Sequence, residues 1–241
     1  MILNKLKRLI EEYRQNHKNE MALLQELDWA NIYHDSIRGK QWLQNLPLNV
    51  GRWAGNYTFF YILNRVLSDC RPNSILEFGL GESSKFISTY LDFYLKESSH
   101  LVIEQDVNWL KNFKSQFQLS DRTKIELCDL KKVEIKGFQV NVYDSLENKI
   151  KNDFDLYIVD GPIGSPRYSR YDIVSLAKQI NTNHQFIILL DDYERQGEKD
   201  TFFELESIFK SRGIVIYSQT YFGQKLVKVI VTEKYKFCCS F

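Results

Sequence analysis

Two kinds of segment in this sequence carry residue types able to do chemistry. The first is Glu77-Phe78-Gly79-Leu80-Gly81-Glu82-Ser83-Ser84-Lys85, where two glycines one residue apart follow an apolar run. Glycines so placed permit a sharp turn and let a ligand approach the backbone. Where a helix begins at such a turn, its first amides favour an anionic or polar group. Glu77 stands two residues before the first glycine. A carboxylate there repels a pyrophosphate but suits an ammonium group, directly or through water. In the second kind of segment, acids close apolar runs. Asp160 follows Leu156-Tyr157-Ile158-Val159, and Asp191-Asp192 follows Phe186-Ile187-Ile188-Leu189-Leu190. On neighbouring strands, ~4.8 Å apart, such acids would converge. Like charges that close need a cation, an arginine or a raised pKa.

The elements that must hold these residues follow from periodicity. The first ~70 residues lack strand signals and read as helical, with one loop at 47–51 and Asn56 as a helix cap. From Ser74 the pattern alternates. Strands are expected at 74–78, 100–104, 124–128, 154–159 and 185–190. Helices are expected between them at 83–95, 107–117 and 171–180, and again at 200–210. This is the pattern of a parallel sheet covered on both faces. Two short β-runs around Gly137 (133–135 and 139–143) read as an extra hairpin. At the end, 213–218 and 226–232 are separated by too few residues for a parallel crossover, so they form an antiparallel hairpin. The expected fold class is therefore α/β, a Rossmann-like sandwich of five parallel strands with a terminal antiparallel hairpin. Residues 1–48 form a helical extension and 49–241 the ligand-binding domain.

The glycine segment, with acids ending successive strands, resembles the class I S-adenosylmethionine-dependent methyltransferases, including little-studied bacterial members. Glu77, Gly79 and Gly81 match their first motif, Glu104 the acid ending strand two, and Asp160 the Asp ending strand four. The resemblance spans about 49–232. It implies S-adenosylmethionine as cofactor, with donor contacts from Glu77, Gly79, Gly81, Ser83, Glu104, Asp129 and Asp160. In that family Glu104 would hold the ribose hydroxyls and Asp129 would lie near the adenine amine. Strands four and five would be neighbours, with Asp160, Asp191 and Arg170 on the catalytic side.

Two readings of the acidic cluster stay open. The catechol and caffeoyl-CoA O-methyltransferases, more distantly similar, imply Mg²⁺ or another divalent cation on Asp160, Asp191 and Asp192. The lysine those enzymes often carry three residues after the first Asp is here Ile163. The alternative is charge pairing by Arg167, Arg170 or Arg195, as a distant similarity to plant glucuronoxylan O-methyltransferases would suit; an arginine could also grip an acidic sugar bidentately. His34 is a candidate general base, and Trp53 and Tyr57 candidate covers for the donor. The implied reaction is O-methylation of a sugar, a glycan or a small hydroxylated metabolite. An NAD(P)-linked oxidoreductase is the alternative, opposed by Ser84 where a dinucleotide fingerprint has Gly or Ala. A non-catalytic donor-binding module is the third reading.

Composition narrows the partners. Lys and Arg total 32 against 31 Asp and Glu, so no basic excess points to nucleic acid. No apolar run approaches the ~20 residues of a membrane span. The amphipathic start places Ile2, Leu3, Leu6, Ile10 and Tyr13 on one face. Its expected partner is the domain itself or a second subunit. Cys70, Cys128, Cys238 and Cys239 have neither zinc nor redox spacing. They read as free thiols in a reducing cytoplasm.

Overall fold

The computed structural model describes residues 2–241, with side chains from Asn4 onward. Met1, and the side chains of Ile2 and Leu3 expected on the apolar face of the first helix, lie outside the described residues. A 35-residue helix, α1 (Ile2–Ser36), leads into the short α2 (Gln41–Gln44) and α3 (Tyr57–Arg65). Asn56 caps α3 by accepting from the Phe59 amide, and one π-type turn over Val66–Cys70 ends it.

The alternating region then follows. Strands β1 (Ser74–Phe78), β2 (Ser99–Glu104) and β3 (Thr123–Leu127) are separated by α4 (Glu82–Phe93) and α5 (Val107–Gln116). A separate antiparallel pair, β4 (Leu130–Ile135) and β5 (Phe138–Tyr143), precedes the short α6 (Leu146–Lys149). The chain continues through β6 (Leu156–Val159), α7 (Asp172–Ala177), β7 (Ile187–Leu190), α8 (Gln196–Ser211), β8 (Tyr217–Phe222) and β9 (Leu226–Val231). The main sheet has the order β3-β2-β1-β6-β7-β9-β8. The first five strands in that order are parallel, while β9 runs antiparallel to both β7 and β8. Chain direction across the sheet reverses between β1 and β6, the position where open α/β sheets bind ligands.

Alternation along the central strands builds two cores. Ile75, Leu156, Ile158, Ile187 and Leu189 face α3, α4 and the end of α1. Leu76, Phe78, Tyr157, Val159, Ile188 and Leu190 face α7 and α8. Strands buried on both faces read as continuous apolar runs, which is why these were visible in the sequence. Tyr33, Ile37 and Leu43 share the first core with the sheet, so packing is continuous across residue 48.

Several element boundaries differ from expectation. The first strand of the terminal hairpin begins at Tyr217 rather than 213, because Gly213 (φ +71°) and Ile214 still belong to the turn leaving α8. Helix α8 starts at Gln196, four residues early. Gly197 lets the first turn press against the 165–169 backbone; a Cβ there would sit 2.5 Å from the Ser165 carbonyl oxygen. Helix α7 is shorter than expected, six residues within the 171–180 run. Among the described residues no helix is long and apolar enough to cross a membrane.

Candidate active site

A cavity of about 1210 Å³ opens at the C-terminal ends of β1, β2 and β6. The glycine turn forms one wall. Gly79 has φ +94°, a conformation that side chains with a Cβ resist, and its amide still donates to the Ile103 carbonyl. Behind it, Gly161 approaches so closely that an added Cβ would lie 2.8 Å from the Gly79 nitrogen and 2.9 Å from the Phe78 carbonyl carbon. Gly81 precedes α4 and faces open space, leaving room for a ligand against the first helical turn.

Glu104 ends β2 inside this cavity and is nearly fully buried. Its Oε2 accepts from the Leu80 amide (2.9 Å), and its Oε1 from the Gln105 and Asp106 amides (2.7 Å each). A carboxylate offers about four acceptor positions. Three are occupied by the backbone, so one remains on Oε2, beside the glycine turn.

Glu77 sits elsewhere than expected. It shares the face of Ile75, beneath α4, and is completely buried. Ser83 and Ser84 both donate to it, the latter at 2.8 Å, and His100 Nε2 lies 3.0 Å from Oε2. Strand alternation directs it into the helix-covered layer, where it fastens α4 to β1 and β2 rather than meeting an ammonium group. Ser83 lines the cavity while its hydroxyl serves Glu77. Asp129 is exposed at the start of the β4–β5 hairpin and does not line the cavity. In the region where it was expected, the cavity is bordered by Gln105, Asp106 and Trp109, whose indole donates to the Leu80 carbonyl at 2.7 Å.

On the opposite wall, Asp160, Asp191 and Asp192 converge, with ligand-type oxygens all within 4.8 Å of one another. Arg170 fills the space between them. Its Nη2 donates to Asp160 Oδ1 (3.0 Å) and Asp192 Oδ2 (2.6 Å), and its Nη1 to the Val159 and Asp191 carbonyls (3.1 and 2.8 Å). Arg195 and Lys225 add contacts to Asp192 at 2.9 and 3.3 Å. Lys225 enters from the β8–β9 turn and was not anticipated; Ile163 remains exposed on the near rim. Three cations already offset this cluster, so the donor set does not fit a divalent ion. Arg167 pairs instead with Asp200, away from the three aspartates.

The electrostatics follow from that geometry. Burial pushes the Asp160 carboxyl up to about 6, against the pull of Arg170. Burial, then the neighbouring Asp160 and Asp192, hold Asp191 well above the usual range, and both its carboxyl oxygens lack partners. Burial opposes ionisation of Asp192 too, but Arg170, Lys225 and Arg195 together hold it below its ordinary value. Arg170 and Asp192 both adopt φ +56°, a conformation costing roughly 1–2 kcal/mol for a residue with a Cβ, and the ion pair between them holds both. Of the three aspartates, Asp160 and Asp192 line the cavity and Asp191 lies beneath them.

The fold that carries this wall and turn is similar to that of a solved structure. The O-methyltransferase TomG from Streptomyces achromogenes, in complex with SAM, matches 89% of this chain and 98% of its own at a TM-score of 0.51 and 9% identity. The fold is that of a class I methyltransferase. An O-methyltransferase from Bacillus cereus, in complex with SAH, matches 89% of this chain and 100% of its own, with a TM-score of 0.48 and 13% identity. No protein-family model and no curated protein sequence matches the chain.

Set on the methyltransferase fold, the remaining candidates separate. Asn49 reaches the turn, its amide donating to Glu82 Oε2 at 3.0 Å, so the 49–55 loop borders the cavity. Trp53 on that loop borders the cavity and is 97% exposed. His34 lines a smaller cavity with Tyr57 and packs on the rings of Tyr33 and Tyr57, remote from the aspartates. A second residue, besides Lys225, escaped sequence reading. Glu26 of α1 is buried and accepts from Asn56 Nδ2, Thr58 Oγ1 and the amides of Tyr57 and Gln224. It ties α1 to two loops that border the cavity.

Proposed function

We propose that this protein is an S-adenosylmethionine-dependent methyltransferase acting on a hydroxyl oxygen of a sugar, a glycan or a small hydroxylated metabolite. The observation that carries the reading is the pairing of the Gly79–Gly81 turn with Glu104, which keeps one acceptor position free at the cavity wall. That pairing suits a ribose hydroxyl above a turn lacking side chains. The shared fold with an O-methyltransferase supports the same reading. A cytoplasmic setting belongs to it, on the free thiols of the sequence.

Bound at the turn, the donor would supply an electrophilic methyl group. Gly79 and Gly81 give it backbone approach, and Glu104 orients it through Oε2. Asp160 faces the same cavity and is the group suited to take the acceptor's hydroxyl proton, since a base works best with a pKa near the working pH. Arg170 holds Asp160 in place through Oδ1, leaving Oδ2 for that proton. Arg195 and Lys225 keep Asp192 ionised and balance the charge that Asp160 carries between turnovers. Alignment of acceptor oxygen and methyl group would supply much of the rate.

Calorimetric titration with S-adenosylhomocysteine tests the reading. Micromolar binding is expected, and Gly79→Val should abolish it, because valine resists φ +94° and its Cβ would press on Gly161. Equal binding by parent and variant would remove the turn from the donor site. Mass spectrometry of metabolite and glycan extracts incubated with isotope-labelled methyl donor then identifies the acceptor.

A further inference from the structure

Helix α1 stands clear of the domain for most of its length. Residues 4–21 are all exposed, and contact with the body begins in earnest at Glu26 and Trp29. Most helical stability in proteins comes from packing an amphipathic face, and this stretch packs on nothing in its own body. Such a face exists. Leu6, Ile10, Tyr13, His17, Met21 and Leu24 follow in steps of three and four, and the five apolar members are exposed. Apolar surface at that spacing is a packing seam.

The charges on α1 identify what covers the seam. Residues 4–18 hold Lys5, Lys7, Arg8, Arg14 and Lys18 against Glu11 and Glu12. Residues 19–36 hold Glu20, Glu26, Asp28 and Asp35, with no Lys or Arg. The first turn carries no acid. This polarity is the reverse of what the helix dipole favours, so it is unfavourable for the isolated helix. It is favourable when a second α1 lies antiparallel, because each basic half then faces the other's acidic half.

We propose that two copies of this chain pair through α1, antiparallel, with the two-fold axis near His17. That register sets Ile10 over Leu24 and Tyr13 over Met21 of the other copy. It also sets Lys7 on the same flank of the seam as Asp28 and within a turn of it. Glu26, buried against Asn56, lies outside the seam and keeps each arm fixed to its own body.

Light scattering on the size-fractionated protein should give twice 28.6 kDa at micromolar concentration. The double variant Ile10→Glu/Leu24→Glu should run as a monomer with an unchanged thermal midpoint for the body, since both side chains are exposed. Orientation is read by mixing a chain bearing Ile10→Cys with one bearing Leu24→Cys. Oxidation and peptide mass spectrometry should find cross-links between position 10 and position 24. A monomeric parent, a dimer that survives the double glutamate variant, or cross-links only between like positions would each overturn the proposal.

Discussion

Glu104 has a single acceptor position to offer a ligand, because the Leu80, Gln105 and Asp106 amides take the rest. Its replacement therefore does two things at once. Glu104→Ala removes a charge-assisted bond to the donor and orphans three backbone donors that shape the turn. Donor affinity should fall by roughly 1.5–3 kcal/mol for the lost charged bond. Titration with S-adenosylhomocysteine measures it, and an unchanged dissociation constant would move the ribose contact elsewhere. Asp160 makes a prediction of a different kind. As a base it must be ionised, and its carboxyl is pushed up to about 6. Then kcat/KM should rise with pH through that value and level off above it. Arg170 pulls the same group down, so Arg170→Lys, which loses the forked contact, should move the limb to higher pH. Asp160→Asn should cut turnover while leaving donor affinity near the parent's. A flat profile from pH 5 to 8 in the parent would take the base role from Asp160.

The meeting of β1 and β6 beneath the cavity depends on two glycines, Gly79 and Gly161. An alanine at 161 would set its Cβ against backbone atoms of Phe78 and Gly79, which cannot swing aside as a side chain can. Gly161→Ala should cost roughly 1–3 kcal/mol of stability, the range for overpacking. It should also weaken donor binding by displacing the turn. A urea midpoint and a binding isotherm on the same sample check both. The strands themselves were legible in the sequence, since apolar runs buried on both faces announce themselves. The acids at their ends were legible too, but their depths were not. Glu77 and Glu104 look alike in the sequence and share one face of the sheet, yet Glu77 lies two residues deeper, beneath α4, while Glu104 stands at the sheet edge in the cavity. The start of α8 was not legible, because Gly197 in its first turn is a point of close backbone approach that only the folded chain shows.

Across the whole molecule, Glu26 connects the projecting arm to the cavity rim. Its carboxylate gathers groups from the start of α3 and from the β8–β9 turn, nearly 200 residues away in sequence. Glu26→Ala should cost roughly 1–3 kcal/mol, because it strands several buried donors. Hydrogen exchange should then quicken at 56–58 and around 224 more than in the central strands; uniform exchange would contradict the anchoring role. Sequence reading could not find this residue, because a glutamate within a charged helix is ordinarily solvated, and only the tertiary fold buries it. Lys225 was hidden for the same reason. Its partners, Asp192 and the Ala54 carbonyl, come together only once three distant segments have met.

The place of β9 in the sheet has a consequence for synthesis on the ribosome. It is the last strand made, yet it lies between β7 and β8 rather than at the margin. Until residues 226–231 have emerged, β7 presents a bare, wholly apolar edge, and β8 has no partner in the main sheet. An unpaired apolar edge is a template for another chain. The nascent protein thus carries a bare apolar edge from the emergence of β7 to that of β9, and a chain halted in that interval would be a candidate for chaperone capture, a state that the finished molecule never displays.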